Sequence, residues 1–154
     1  ESSPSCTAKP AAAEQKDYVE ALTKKLGSMM AGATDIVTLQ PETFNTVAAA
    51  VSFKLDGATY YGFMARSFGF EQMDIYVVID ENGAIAKVDA KQIIREEEYF
   101  ANFAGMPYGY MEGFVGQTSE TWNDDIAMIA TATISSNAMK QATKDAFAAF
   151  NSIK

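Results

Sequence analysis

The sequence contains no histidine and a single cysteine, Cys6, among its 154 residues. The absence of histidine excludes Ser-His and Cys-His nucleophile pairs and removes the commonest metal ligand. One cysteine near the start of the chain cannot form a disulfide framework or a thiolate metal site. We therefore predict no metal centre and no catalytic residues of the hydrolase type.

Positive charge and long apolar runs are also scarce. The chain has 12 Lys and Arg residues and 20 Asp and Glu residues, which gives a net charge of -8 and a pI near 4.5. Nucleic-acid backbones and anionic lipid surfaces would be repelled by such a chain. No apolar run approaches the length of a membrane span. We therefore expect no nucleic-acid partner and no membrane-spanning segment in this sequence.

The remaining composition is that of one globular domain. With 154 residues, 48% of them hydrophobic, the chain is long enough for one domain with its own core and too short for two. Residues 1–13 are rich in Ser, Pro and Ala, which predicts a flexible tether ahead of a single domain at 14–154. Cys6 in that tether is either the acylated cysteine of a lipoprotein or part of a plain linker, and both alternatives stay open.

Hydrophobic periodicity predicts an α+β fold in which a twisted antiparallel sheet carries an N-terminal and a C-terminal helix. The sheet is expected from about Val47 to Ala90, with Val47, Val51 and Phe53 on one alternating side. Two turn signals stand between its strands, Asp56-Gly57 and a primed turn at Asn82-Gly83. The helices are expected at 14–30 and from Asn137 onward, the latter capped by Ser136 or Asn137.

Two further stretches contain polar and aromatic residues. The adjacent glutamates at 96–98 point in different directions on a helix, so they predict a solvated helix start rather than an acid/base pair. The aromatic loop between Tyr99 and Trp122, which contains several glycines, could form the wall of a binding site for a flat ring system. Tyr108 and Tyr110 are the residues we assign to that wall, with their hydroxyl groups in solvent.

The order Ala132-Thr133-Ile134-Ser135-Ser136-Asn137-Ala138 resembles the flavin-attachment segment of the FMN-binding domain family. That family includes the flavin-carrying subunits of the Rnf electron-transport complex and of the sodium-translocating NADH:quinone reductase. Its motif has an Asp, two variable residues, a Ser or Thr and then Gly-Ala-Thr, whose Thr bears FMN through a phosphoester. Here Ala127, Ala130 and Thr131 replace the Asp, the Ser or Thr, and the Gly. The resemblance extends over roughly Val51 to Phe150.

The resemblance implies FMN as the cofactor and an electron-transfer domain that carries the flavin rather than acting as a stand-alone catalyst. Thr133 takes the attachment position, and the phosphate would rest in the turn Thr131–Ser136. The cofactor-binding residues predicted in this way are Thr131, Ala132, Thr133, Ser135, Ser136, Tyr108 and Tyr110. Because three motif positions differ, covalent attachment, reversible binding and a vestigial site in a cofactor-free exported interaction domain all remain open.

The resemblance also implies partners and a location. A flavin transferase would modify the chain if Thr133 is esterified, and redox partner proteins of a membrane complex would exchange electrons with it. Since family members are mostly exported or membrane-tethered, we expect an extracytoplasmic domain that is membrane-associated through its N-terminal segment.

Overall fold

A computed structural model describes residues 12–42, 45–68, 72–92, 110–128 and 133–153 of the chain. These residues form helix α1, an antiparallel sheet, two 3₁₀ helices and helix α2, so the predicted α+β fold with a helix at each end is confirmed. The elements in chain order are α1 Ala12–Met29, β1 Thr34–Thr38, β2 Val47–Leu55, β3 Ala58–Phe68, β4 Gln72–Asp80, β5 Ile85–Gln92, the 3₁₀ helices Met111–Phe114 and Asp124–Ala127, and α2 Thr133–Ile153.

The five strands form an antiparallel meander in which each strand pairs with the next one along the chain. The β2–β3 turn is confirmed at Asp56-Gly57, whose φ angles are 52° and 82°. Positive φ at both central residues is the requirement of a primed two-residue turn, and Asp and Gly tolerate it best. Strand β1 lies at the sheet edge and all five of its residues are exposed.

The second predicted primed turn is wrong. Of the two predicted central residues, Asn82 and Gly83, only Gly83 has a positive φ, at 89°. The backbone N–H of Gly83 donates to the Asp80 carbonyl over 3.0 Å. The Asp80 carboxylate also accepts hydrogen bonds from the N–H groups of Asn82 and Ala84, at 2.9 and 3.0 Å. This side chain stabilises a longer loop that ends in a left-handed glycine, a common alternative to the two-residue turn.

The predicted alternation along β2 is also wrong at its first residue. The pairing register shifts between Val47 and Ala49, so β2 advances by two residues where β3 advances by one. A bulge of this kind moves the residues before it to the opposite face of the sheet. As a result Val47 packs on one face, whereas Val51 and Phe53 pack on the other.

Both faces of the sheet are buried, each beneath one helix. We call the cluster beneath α1 the α1-side core, which comprises Leu22, Leu26, Met29, Ala49, Val51, Phe53, Met64, Tyr76 and Val78. The α2-side core is larger and includes sheet residues, the segment 110–128 and α2. Its members are Val47, Ala50, Phe63, Ala65, Ile75, Val77, Ile79, Ile85, Val88, Tyr110, Phe114, Ala127, Ala138, Met139, Ala142, Ala146, Phe147, Ala149 and Phe150.

Several sequence predictions fall outside the described residues. Most of the tether at 1–13 and the glutamates at 96–98 belong to this group, while α1 begins at Ala12. Within the described ranges, neither helix combines the length and the apolar character that a membrane crossing requires.

Candidate functional site

Helix α2 begins at Thr133, four residues earlier than the predicted start at Asn137. The prediction that Ser136 or Asn137 caps this helix is therefore wrong, because both residues lie inside it. Ser136 is fully buried, as are Met139 and Ala142 further along. The buried face of the helix thus extends back beyond Asn137, and a hydroxyl residue is readily accommodated in a first turn where backbone N–H groups lack helical partners.

The electrostatics of this first turn favour an anion. It contains no Asp or Glu, and α2 is 21 residues long. The first four N–H groups of a helix have no intrahelical acceptor, and the helix dipole adds the equivalent of about half a positive charge there. The start of α2 therefore has a potential that favours an anion, with no carboxylate in the turn to compete with it.

The segment 110–128 anchors the chain shortly before this turn. The Tyr110 hydroxyl donates a hydrogen bond of 2.6 Å to the carbonyl of Ala127, which is fully buried in the α2-side core. The Asn123 side chain caps the 3₁₀ helix Asp124–Ala127 by accepting from the Asp125 N–H at 2.9 Å. The indole N–H of Trp122 donates to Asp124 over 2.9 Å. These bonds fix Ala127, which lies six residues before Thr133.

The structure corrects one expectation about Tyr110. Its hydroxyl group does not lie in solvent, because the residue is buried and bonded to the Ala127 carbonyl. Burial raises the pKa of the Tyr110 phenol above its ordinary value, since the charged phenolate would lose its hydration. A neutral, hydrogen-bonded tyrosine at this position supports the segment that leads to α2.

The other predicted cofactor-binding residues divide into two groups. The first turn of α2 contains Thr133, Ser135 and Ser136, so the backbone brings three of them together. Thr131, Ala132 and Tyr108 lie outside the described residues. The contact of any predicted residue with a cofactor stays a prediction.

Sequence reasoning missed the 3₁₀ helix Asp124–Ala127 and its hydrogen bonds, although a local signal was present. Asn123 followed by Asp124 and Asp125 is a capping residue followed by two acidic residues, which is typical of a helix start. Four residues are too short for hydrophobic periodicity to reveal. The bond between Tyr110 and Ala127 spans 17 positions and leaves no pattern in the sequence.

A sequence model of the FMN-binding domain family matches residues 69–148, a little over half of the chain. The matched range contains β4, β5, the segment 110–128 and most of α2, including its first turn. The chain belongs to the FMN-binding domain family. FMN is accordingly its cofactor, and the predicted resemblance is confirmed at the level of the family. A search of the curated proteins found no match to this FMN-binding domain.

The residues of this FMN-binding domain fit the phosphate of the cofactor at one described place. The first turn of α2 contains no acidic side chain, and the backbone N–H groups of a helix start point toward a bound anion. Asn137 and Lys140 follow in the next turns. Asn137 is exposed, and Lys140 is half-buried. In backbone register, positions 133, 137 and 140 share one stripe of the helix. An anion at the first turn would therefore have a cation about two turns away along the same stripe.

Proposed function

We propose that this FMN-binding domain is an electron-transfer domain that holds the flavin phosphate at the Thr131–Ser136 segment. The observation that supports this proposal is the coincidence of two independent features at one place. The family match includes the start of α2, and that start is free of acidic residues although the chain as a whole has a net charge of -8.

The proposed role of the protein is to bind and orient the cofactor. FMN, when bound, supplies the electron-accepting and electron-donating chemistry. The backbone N–H groups of the first α2 turn would bind the phosphate, and the helix dipole would favour its negative charge. The 110–128 segment would stabilise the approach to that turn through the Tyr110 bond to Ala127. The electron transfer itself requires no residue of the chain as an acid or a base in this proposal.

The Thr133 hydroxyl is the position we propose for a phosphoester, formed if a flavin transferase modifies the chain. The full chain should be co-expressed with such a transferase and its intact mass and colour recorded after denaturation. An ester adds the mass of one FMN less one water and keeps the colour on the unfolded chain. Thr133→Ala should abolish both signals, whereas Thr38→Ala, which removes an exposed hydroxyl from edge strand β1, should keep both.

Colour that is released on denaturation would instead support reversible binding at the same turn. Loss of the mass increment in Thr131→Ala rather than Thr133→Ala would assign the ester to the neighbouring hydroxyl. A colourless protein that ignores added FMN would contradict the electron-transfer proposal and favour a cofactor-free interaction domain.

The phosphate position can be tested without an ester. Ser135→Glu introduces a carboxylate into the first turn, and Ser135→Gln is the neutral control of similar size. The carboxylate should weaken FMN binding by about fivefold or more, because it opposes an anion at the helix start. Riboflavin lacks the phosphate and should bind both variants equally. Equal loss of riboflavin and FMN affinity in Ser135→Glu would place the phosphate elsewhere.

We further propose that the loaded domain exchanges electrons with redox proteins of a membrane complex, as the flavin-carrying subunits of the Rnf complex and of the sodium-translocating NADH:quinone reductase do. An extracytoplasmic location with a tether through the N-terminal segment and Cys6 is part of this proposal. Fractionation of cells that express the full chain, with Cys6→Ala as the variant, tests the tether. Loss of membrane association in that variant is the expected result.

A further inference from the structure

A half-open pocket of about 250 Å³ lies near the C-terminal end of α2. It is away from the flavin segment, by which we mean the Thr131–Ser136 segment proposed to hold the flavin phosphate. Three elements form it, namely the β4–β5 turn, the turn at 118–121 and the last turns of α2. Its lining residues are Asn82, Gly83, Thr118, Ser119, Glu120, Phe147, Phe150 and Asn151. Fourteen helical positions separate Thr133 from Phe147, which corresponds to about 21 Å along the axis. The pocket is therefore distinct from the proposed phosphate position.

Two phenyl rings form the apolar part of this pocket. Phe150 meets the Tyr61 ring edge-on, with 5.2 Å between centroids, and Phe147 meets the Trp122 ring at 6.1 Å. Both phenylalanines are almost fully buried, so neighbouring rings hold them in place. Gly83 lies directly against Phe150, since an added Cβ would come within 3.5 Å of that ring.

The polar rim of the pocket is held by its own hydrogen bonds. The Thr118 hydroxyl accepts from the N–H groups of Glu120 and Thr121, at 3.2 and 3.3 Å. The chain just before this turn pairs with β5, because the Ile85 N–H donates to the Gln117 carbonyl over 2.9 Å. The rim is thus largely formed before any ligand binds, which reduces the ordering cost of binding.

The charge around the pocket is negative. Within the described part of the chain the exposed Glu120 carboxylate has no hydrogen-bond or ion-pair partner. Lys and Arg are absent from segments 80–86, 110–128 and 145–153, whereas these contain several Asp and Glu residues. Lys144 is the nearest cation on α2; its Nζ lies 3.6 Å from Asp124, and Lys144 does not line the pocket. Lys154 lies outside the described residues.

We propose that this pocket binds a lysine or arginine side chain from a basic segment of a partner protein. Glu120 would pair with the positive head group, the amide oxygens of Asn82 and Asn151 would accept its remaining hydrogen bonds, and the phenyl rings would pack against its aliphatic stem and face the charge. An anionic ligand would be repelled by the Glu120 carboxylate, and a neutral ligand would gain no ion pair with it. Because the partner docks far from the α2 start, this site would tether a partner without covering the flavin segment.

The test is a titration of the full, isotope-labelled 154-residue chain with a serine-glycine peptide that carries three arginines, followed by backbone amide NMR. The same peptide with glutamine in place of arginine is the neutral probe. Shift changes are expected at Asn82, Gly83, Ser119, Glu120 and Asn151 with the arginine peptide alone. The result does not depend on flavin binding, so it can fail while the proposed electron-transfer function stands.

Matched charge variants separate a specific pocket from general attraction to an acidic protein. Glu120→Gln and Asp56→Asn each remove one negative charge from an exposed turn, and Asn is well tolerated at the positive φ of residue 56. Glu120→Gln should weaken arginine-peptide binding about two- to fivefold, as loss of one exposed ion pair does, and Asp56→Asn should leave it unchanged. Equal weakening by both variants, equal binding of the glutamine peptide, or shifts confined to other surfaces would each overturn the proposal.

Discussion

The two faces of the sheet are buried in different ways. On the α1 side, Leu22 and Leu26 project from the helix onto the sheet. On the α2 side the helix presents four alanines together with Met139, Phe147 and Phe150, and further large side chains come from the sheet and from segment 110–128. The buried α1 residues are thus Leu and Met side chains, whereas α2 also contributes aromatic rings, which pack edge-on against Tyr61 and Trp122. The α2-side core is the one that contains residues of α2, the helix at whose first turn the flavin phosphate is proposed to bind.

The largest expected effect comes from the α2-side core. Phe114 is fully buried and its ring lies 5.3 Å from that of Tyr110 and 5.4 Å from that of Trp122. Phe114→Ala should lower the free energy of unfolding by about 3–5 kcal/mol, because the cavity removes contacts on several sides. Equilibrium unfolding in denaturant measures this loss of unfolding free energy. The native fluorescence of Trp122, the only tryptophan, should shift to longer wavelength as its neighbour is removed.

Leu26→Ala is the matching change on the α1 side and should cost about 2–4 kcal/mol. Since Trp122 packs on the other face, its native fluorescence should not change in this variant. Val115→Ala, next to Phe114 but 48% exposed, should leave both stability and fluorescence nearly unchanged. A fluorescence shift in Leu26→Ala would mean that the two cores are coupled through the sheet and are not separate packing units.

The sequence predicted the elements of this fold better than their relation to one another. The β2–β3 hairpin was predictable because Asp56-Gly57 is a local signal that only one kind of turn satisfies. The bulge near Ala48 was not, because Val47, Ala49 and Val51 alternate as well as any regular strand and the bulge is set by pairing with β3.

The same limit applies to the candidate site. The hydroxyl-rich segment was recognisable from sequence, and the family match confirms the family to which it pointed. Its helix start was misplaced because Ser136 is a good cap by local preference, yet tertiary packing buries it inside α2. Tyr110 was assigned to a cofactor wall from its glycine-rich surroundings, but only the distant Ala127 carbonyl explains where its hydroxyl lies.

A smaller effect should distinguish the two faces at alkaline pH. Burial, with a further contribution from the Asp74 charge, raises the pKa of Tyr76 on the α1 side from 10.0 to about 12. Between these values the unfolded chain loses this proton while the folded chain keeps it. The contribution of Tyr76 to stability should therefore fall as pH rises from about 10 to about 12, by about 1.4 kcal/mol per pH unit. Below pH 10 the contribution is fully present, and Tyr76→Phe should flatten the decline.

Tyr110→Phe is the comparison on the α2 side. It should also reduce the alkaline decline, because burial raises the pKa of Tyr110 as well. Unlike Tyr76→Phe, it should lose about 1 kcal/mol already at neutral pH, since the Ala127 carbonyl is left without its donor. Unfolding free energies of both variants and the parent from pH 7 to 12 make the comparison. Identical profiles for the two variants would contradict the assigned role of the Tyr110 hydroxyl.

The smallest expected difference concerns one lysine–aspartate pair beside each core. Lys25 on α1 lies 2.8 Å from Asp89 and 5.6 Å from the Tyr76 ring centroid, whereas the more exposed Lys144 on α2 lies 3.6 Å from Asp124. Lys25→Gln should cost about 0.5–1 kcal/mol because two favourable contacts are lost, and Lys144→Gln less than about 0.5 kcal/mol. Added salt should shrink both effects and should remove the Lys144 effect more completely, since screening is strongest for the more exposed pair. Equal costs in the two variants, at low salt, would mean that the aromatic ring beneath Lys25 contributes nothing and that surface charge does not distinguish the two faces of the sheet.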